Sequence, residues 1–124
     1  MSAFLAVAAG AILGAWLRWG LSTWLNPMVP TLPLGTLAAN IGGGYLVGLA
    51  VAYFAANASL PPEWRLASIT GFLGALTTFS TFSAESVQLL QTARYLEAAL
   101  HTAAHLLGSI AATIFGFATY RALT

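Results

Sequence analysis

Apolar residues fill long stretches of this chain, and the polar positions that interrupt them fall into a few short clusters. A helix needs about 20 predominantly apolar residues to cross a bilayer. Four runs reach that length and predict spans over about 3–25, 34–56, 63–90 and 95–122. Asn26-Pro27, followed by Pro30 and Pro33, ends the first run, because proline lacks a backbone donor and its ring clashes with the preceding turn. The loop from Asn57 to Pro62 separates the second run from the third. Pro61-Pro62-Glu63 reads as a helix start, with proline tolerated in the first turn and a carboxylate favoured there by the helix dipole. With no domain boundary, low-complexity tract or internal repeat visible, residues 1–124 read as one four-helix transmembrane domain. A signal peptide places its positive charge before a short apolar core. Here the first charge is Arg18, after the apolar run, so the first segment reads as a span that stays.

Composition sharpens the membrane reading. The chain is 59% hydrophobic and 6% charged, against about 25% charged in soluble domains. Its formal charges are Arg18, Arg65, Arg94, Arg121, Glu63, Glu85 and Glu97, and a net charge of +1 offers no footprint for nucleic acid. Without cysteine there is neither a disulfide nor a thiolate metal site. Four spans bring both termini to one side, where Arg65 and Arg121 lie, while Arg18 and Arg94 lie on the other. Cytoplasmic loops ordinarily carry the excess of Lys and Arg. An even count gives almost no instruction about orientation, so copies are expected to insert both ways, and an antiparallel two-fold dimer would follow.

The third run contains the candidate chemistry. In TGFLGALTTFSTFSAE, residues 70–85, five hydroxyl residues fill the seven positions from Thr77 to Ser83, and Phe79 and Phe82 take the other two. Gly71 and Gly74 precede them, and glycine near mid-membrane lets the backbone leave helical geometry. Carbonyls freed there need a partner, and non-helical backbone survives at that depth only within protein or beside a cavity. Freed carbonyls are good ligands for a hard cation such as Na+. The competing reading is a continuous helix with glycines at a crossing. Thr78, Thr81 and Glu85 recur at helical spacing on one face, and Phe79 and Phe82 on another. An aromatic pair ordinarily serves packing. Interleaved with hydroxyls, these rings can instead turn their positive edges toward a small anion.

Other polar residues join this set. Asn40, inside the second run, needs hydrogen-bond partners, either as interhelical glue or as a donor to an anion. On the fourth run Thr102, His105, Ser109, Thr113 and Gly116 form a stripe expected to face the third. His101 and His105 read as hydrogen-bonded structural groups. Arg18 lies close enough to its helix end to snorkel as an interfacial anchor, and Glu85 could flank a water-filled mouth. Gly10 with Gly14, and Gly44 with Gly48, have the spacing that lets membrane helices approach closely.

GAWLRW at 14–19, GTLAANIGGGYLVG at 35–48 and GFLGALTTFSTFSAE at 71–85 together resemble the Fluc (CrcB) family of small fluoride channels, in register through most of the chain. The resemblance implies an all-α membrane protein of four transmembrane helices, the third broken near mid-membrane, assembled as an antiparallel dual-topology homodimer in a bacterial plasma membrane. It implies two narrow pores per dimer that passively export fluoride and exclude chloride. Phe79 and Phe82 would be the pore-facing rings and Asn40 the pore amide. The carbonyls of Gly74 and Thr77 from both subunits would hold a central structural Na+. Ser80, Thr81, Ser83 and Glu85 would line or flank a polar track faced by Ser109 and Thr113, with Arg18 near the vestibule. The family motif often carries a second glycine after Phe-Leu-Gly, where this chain has Ala75.

A small multidrug exporter is the rival reading. It also has four spans, but it exchanges protons through a membrane-embedded carboxylate, and the first span here has no acid. A purely structural subunit has no use for alternating hydroxyls and phenylalanines. An enzyme would need a nucleophile, base and orienting group together, and no such set is visible.

Overall fold

The computed structural model describes residues 2–124. It is all-helical, and its four candidate membrane spans cover Ser2–Met28, Leu34–Ala56, Pro62–Gln91 and Tyr95–Leu123. We label the helices α1 (Ser2–Leu25), α2 (Leu34–Ala56), α3 (helical turns over 62–76), α4 (Phe79–Gln91) and α5 (Tyr95–Leu123). The 23 residues of α2 give a rod of about 35 Å at 1.5 Å per residue, enough to cross hydrocarbon about 30 Å thick.

Each connection has a local cause. After α1 the chain takes one short turn over Asn26–Met28, with proline at its start. The Asn26 carboxamide then reaches forward to α2. Its Oδ1 accepts from the Gly35 N–H at 2.7 Å and the Thr36 N–H at 3.1 Å, satisfying two of the donors that a helix start leaves without partners. The α4–α5 turn closes with Ala93 N–H donating to the Leu90 carbonyl and Arg94 N–H to the Leu89 carbonyl, the paired bonds of a Schellman cap. Ala93 occupies the left-handed position with φ 58°, where glycine is usual.

Glycine decides which helices approach. Cβ atoms added to Gly10, Gly14 or Gly71 would run into the backbone of the facing helix, so α1 and α3 pack backbone to backbone. The same holds between α2 and α5 at Gly48 and Gly116, whose added Cβ atoms would meet the Thr113 and Tyr45 carbonyls. The small-residue pairs of the first and second spans thus serve packing within one chain. Where α1 presses on α3, Leu66–Leu73 is wound as a π-helix. A small core of Ala39, Leu73 and Leu76 joins α2 to α3, with Leu21, Val47, Ala50 and Phe72 packed around it.

Candidate functional site

Thr77 and Thr78 separate α3 from α4, and both are extended, with φ −84°, ψ 153° and φ −152°, ψ 115°. The sequence explains what holds them there. Thr78 N–H, which would otherwise continue the ladder to Gly74, donates to Asn40 Oδ1 at 2.7 Å. Asn40 Nδ2 returns a bond to the Thr78 carbonyl at 3.0 Å, so one side chain of α2 pairs with an extended residue as a neighbouring strand would. The Thr78 hydroxyl caps α4 by accepting from the Thr81 N–H at 3.1 Å. It also donates to Thr81 Oγ1 at 3.1 Å, and Ser80 Oγ lies 3.3 Å away. The ladder donors that would reach Gly74 and Thr77, the amides of Thr78 and Thr81, are therefore spent on side chains. Neither the Gly74 nor the Thr77 carbonyl receives a hydrogen bond among the described residues.

Arg18 belongs to this junction. It was expected to snorkel as an interfacial anchor. Instead its Nε donates to the Ala75 carbonyl at 2.9 Å, placing a cation at the C-terminal end of α3, where the helix dipole favours one. The carbonyl it takes is one that the interruption would leave unpaired.

On the other side of Asn40 lies a groove of about 330 Å³, lined by Asn40, Gly44, Thr77, Thr78, Phe79, Phe82, His105, Leu106, Ser109 and Ile110. The Phe79 and Phe82 rings stand 5.5 Å apart at its wall, Phe79 being 79% exposed. Ser109 lines the groove, but Thr113 turns away, its hydroxyl hydrogen reaching the Gly44 and Ser109 carbonyls at 2.9 Å. Ser80 is exposed and Ser83 half-buried. Thr78 precedes α4 as its cap, and its hydroxyl meets that of Thr81.

The fourth-span stripe is also redistributed. Ser109, Thr113 and Gly116 approach α2, facing Gly44, Gly48 and Tyr45, while Thr102 is exposed. The expectation that the stripe faces the third span fails for Thr113 and Gly116, because the α2 glycines let α5 come closest there, while Ser109 also borders the groove beside Phe79 and Phe82. Two histidines of α5 meet α4. Phe82 packs on both, with ring centroids 5.2 Å from His101 and 4.8 Å from His105. His105 Nδ1 lies 3.0 Å from Asn40 Nδ2. His101 Nε2 lies 3.4 Å from the Phe82 carbonyl and 3.5 Å from Glu85 Oε1. Glu85 accepts the Thr36 hydroxyl on Oε2 at 2.6 Å and lines a second cavity of about 220 Å³ with Pro30, Thr31, Gln88, Thr92 and Arg94. The histidines' spacing of four residues was the signal for this cluster.

Residues 5–117 match the family described as CrcB-like protein, Camphor Resistance (CrcB). The chain belongs to this family. The CrcB-like chain is 58% identical over 120 residues to the fluoride-specific ion channel FluC of Cupriavidus metallidurans, covering 97% of this chain and 95% of the relative. It is 60% identical over 117 residues to the fluoride-specific ion channel FluC of Thiobacillus denitrificans, covering 94% of each. It is 58% identical over 119 residues to the fluoride-specific ion channel FluC of Nitrosospira multiformis, covering 96% of this chain and 93% of that one. With four candidate spans, this CrcB-like chain is a multi-pass membrane protein of a family with bacterial members.

Proposed function

We propose that this chain is a fluoride-selective channel that lets fluoride leave the cell passively. The observation that carries the reading is the near full-length identity to proteins named fluoride-specific ion channels, together with a groove walled by Phe79 and Phe82 and floored by hydroxyls. A small anion must leave its hydration shell to cross apolar protein, and selectivity follows when the replacement contacts suit its size and field. The aromatic edges of Phe79 and Phe82 offer partial positive charge without competing water. Hydroxyls of Ser80, Thr81, Ser83 and Ser109 supply donors in sequence, and Asn40 keeps the junction open with both of its amide hydrogens engaged. Thr113 braces α5 against α2 through the Gly44 carbonyl, Glu85 stands in the second cavity, and Arg18 adds positive charge at the junction after α3.

The assembled form we infer is an antiparallel dual-topology homodimer with two pores. Positive charges divide evenly between the two sides, and Phe79 and the turn at Gly74 are exposed on one copy, which supports their being covered by another. The Gly74 and Thr77 carbonyls, left without ladder partners, fit a hard cation such as Na+ as ligands. When bound, that ion supplies fixed positive charge that lowers the cost of bringing an anion into apolar surroundings.

The test is efflux from liposomes holding the purified protein, followed with fluoride-selective and chloride-selective electrodes under a clamped potential. Rapid fluoride loss with chloride retained is the expected result. Equal loss of both ions, or no fluoride loss from demonstrably dimeric protein, refutes the reading.

A further inference from the structure

Behind Phe82, α4 and α5 enclose three titratable side chains. Glu85, His101 and His105 each bring a ligand atom within 4.8 Å of the others. His101 is 0% exposed and His105 4%. Each of the three has one buried polar atom without a hydrogen bond, namely Glu85 Oε1, His101 Nδ1 and His105 Nε2. The cluster also touches two cavities, since His105 lines the groove beside Phe82 and Glu85 the second cavity.

Hydrogen-bond logic assigns the protons. Thr78 N–H can only donate, so the atom it meets on Asn40 is the carboxamide oxygen. The Asn40 nitrogen therefore faces His105 Nδ1 as a donor, and neutral His105 must carry its proton on Nε2. That Nε2–H is a fixed donor, so the cluster does not present three lone pairs to a metal ion. His101 Nε2 faces two acceptors, the Phe82 carbonyl and Glu85 Oε1, and carries the other ring proton. Thr36 donates to Glu85 Oε2, leaving Oε1 as the atom that can take up a proton.

We propose that Glu85, His101 and His105 form a proton-linked fluoride subsite just beyond Phe82; the proposal rests on the fluoride reading above. With Glu85 ionised and His101 neutral, the pair carries one negative charge and repels an anion. One proton from solvent, taken up on Glu85 Oε1 or on the unpartnered His101 Nδ1, brings the pair to zero. The anion then accepts from His105 Nε2–H and from the protonated pair. The proton stays on the protein when the anion moves on, so transport remains passive. Linkage is reciprocal: fluoride promotes protonation by the factor by which protonation promotes fluoride binding. No other titratable group faces the cluster among the described residues. α2 contributes only neutral Thr36 and Asn40, Arg18 of α1 is held at Ala75, and Arg94, which also lines the second cavity, pairs with Glu97 at 3.3 Å.

The experiment is the liposome assay repeated from about pH 8.5 to about pH 6.5, across the ordinary histidine range, with protein-free liposomes giving the background permeation of neutral HF. Wild-type fluoride efflux should rise as pH falls, by at most about tenfold per unit for one linked proton. E85Q and H101Q should flatten the profile to less than about twofold over the range. Independently of any variant, adding fluoride to weakly buffered wild-type protein in detergent should take up protons, and adding chloride should not. Fluoride efflux that is flat with pH, variants that keep the wild-type slope, or fluoride binding without proton uptake overturns this proposal and leaves the channel reading standing. No fluoride efflux at any pH overturns both.

Discussion

Asn40 and Thr78 are joined by two reciprocal hydrogen bonds, 2.7 Å from the Thr78 amide to Oδ1 and 3.0 Å from Nδ2 to the Thr78 carbonyl. A carboxamide on α2 thus does for one extended residue what a neighbouring strand would do. Its remaining hydrogen goes to His105, so this one side chain couples three of the four spans.

Removing that side chain should cost more than one bond. Asn40→Leu leaves the Thr78 amide without a partner and takes one of two donors from its carbonyl; an unsatisfied buried polar group costs about 1–3 kcal/mol, while single interhelical bonds in membranes average about 0.6 kcal/mol. We expect a loss of about 2 kcal/mol, read by denaturant titration in micelles, with fluoride efflux lost as well. Asn40→Asp is the sharper variant. It keeps an acceptor for Thr78 N–H but presents a lone pair to His105 Nδ1, so the His105 proton should move to Nδ1. Imidazole nitrogen shifts by NMR would show the exchange, and unchanged shifts would contradict the assigned tautomer.

Ala93 holds a left-handed conformation at the cap of α4. A side chain in that region costs about 1–2 kcal/mol, and glycine, lacking Cβ, avoids it. Ala93→Gly should therefore stabilise the protein, by about 1 kcal/mol after its extra unfolded-state entropy is counted. The same denaturant titration checks the sign, and a destabilised Ala93→Gly would show that the turn is not strained.

The spans were legible because nothing else in the sequence competes with the apolar runs: Asn26-Pro27 and the Asn57–Pro62 loop mark their ends, and the helices lie at Ser2–Leu25 and Leu34–Ala56. Gly71 and Gly74 pointed to a departure from helical geometry in the third span. The extended residues are instead Thr77 and Thr78, because the Asn40 carboxamide binds there, and a contact between spans leaves no periodicity to read. The π-helical winding at Leu66–Leu73 is likewise set by the approach of α1. The clustering of His101 and His105 with Glu85 was not legible for a related reason. One stripe on α5 serves two neighbours, α4 through the histidines and α2 through Ser109, Thr113 and Gly116, and spacing alone does not divide it.

The glycine contacts separate two kinds of substitution. A Cβ at Gly116 would overlap the Tyr45 carbonyl, and at Gly48 the Thr113 carbonyl, with backbone rather than a flexible side chain as the obstacle. Gly116→Ala should therefore push α2 and α5 apart and cost about 1–3 kcal/mol. Gly20 has open space around it, and Gly20→Ala should be neutral or stabilising by up to about 1 kcal/mol from helix propensity. Equal effects at the two sites would mean that α2 and α5 are not in backbone contact.

The two phenylalanines should respond differently to the same change. Phe82 is packed against both histidines, so Phe82→Ile removes a ring edge from the groove and two aromatic contacts from the α4–α5 interface. Aromatic pairs contribute about 0.5–1.5 kcal/mol beyond their burial, and the melting temperature should fall. Fluoride efflux should fall by at least about tenfold, equivalent to about 1.4 kcal/mol in barrier height. Phe79 is 79% exposed on one copy. Phe79→Ile should thus leave intrachain stability within about 0.5 kcal/mol of wild type while still lowering efflux, because the ring wall of the groove is lost. Comparing efflux and melting for both variants, with dimer content checked by crosslinking, separates the ring's role in the pathway from its role in packing. If Phe82→Ile melts early yet conducts normally, the ring serves packing alone and the pathway runs elsewhere.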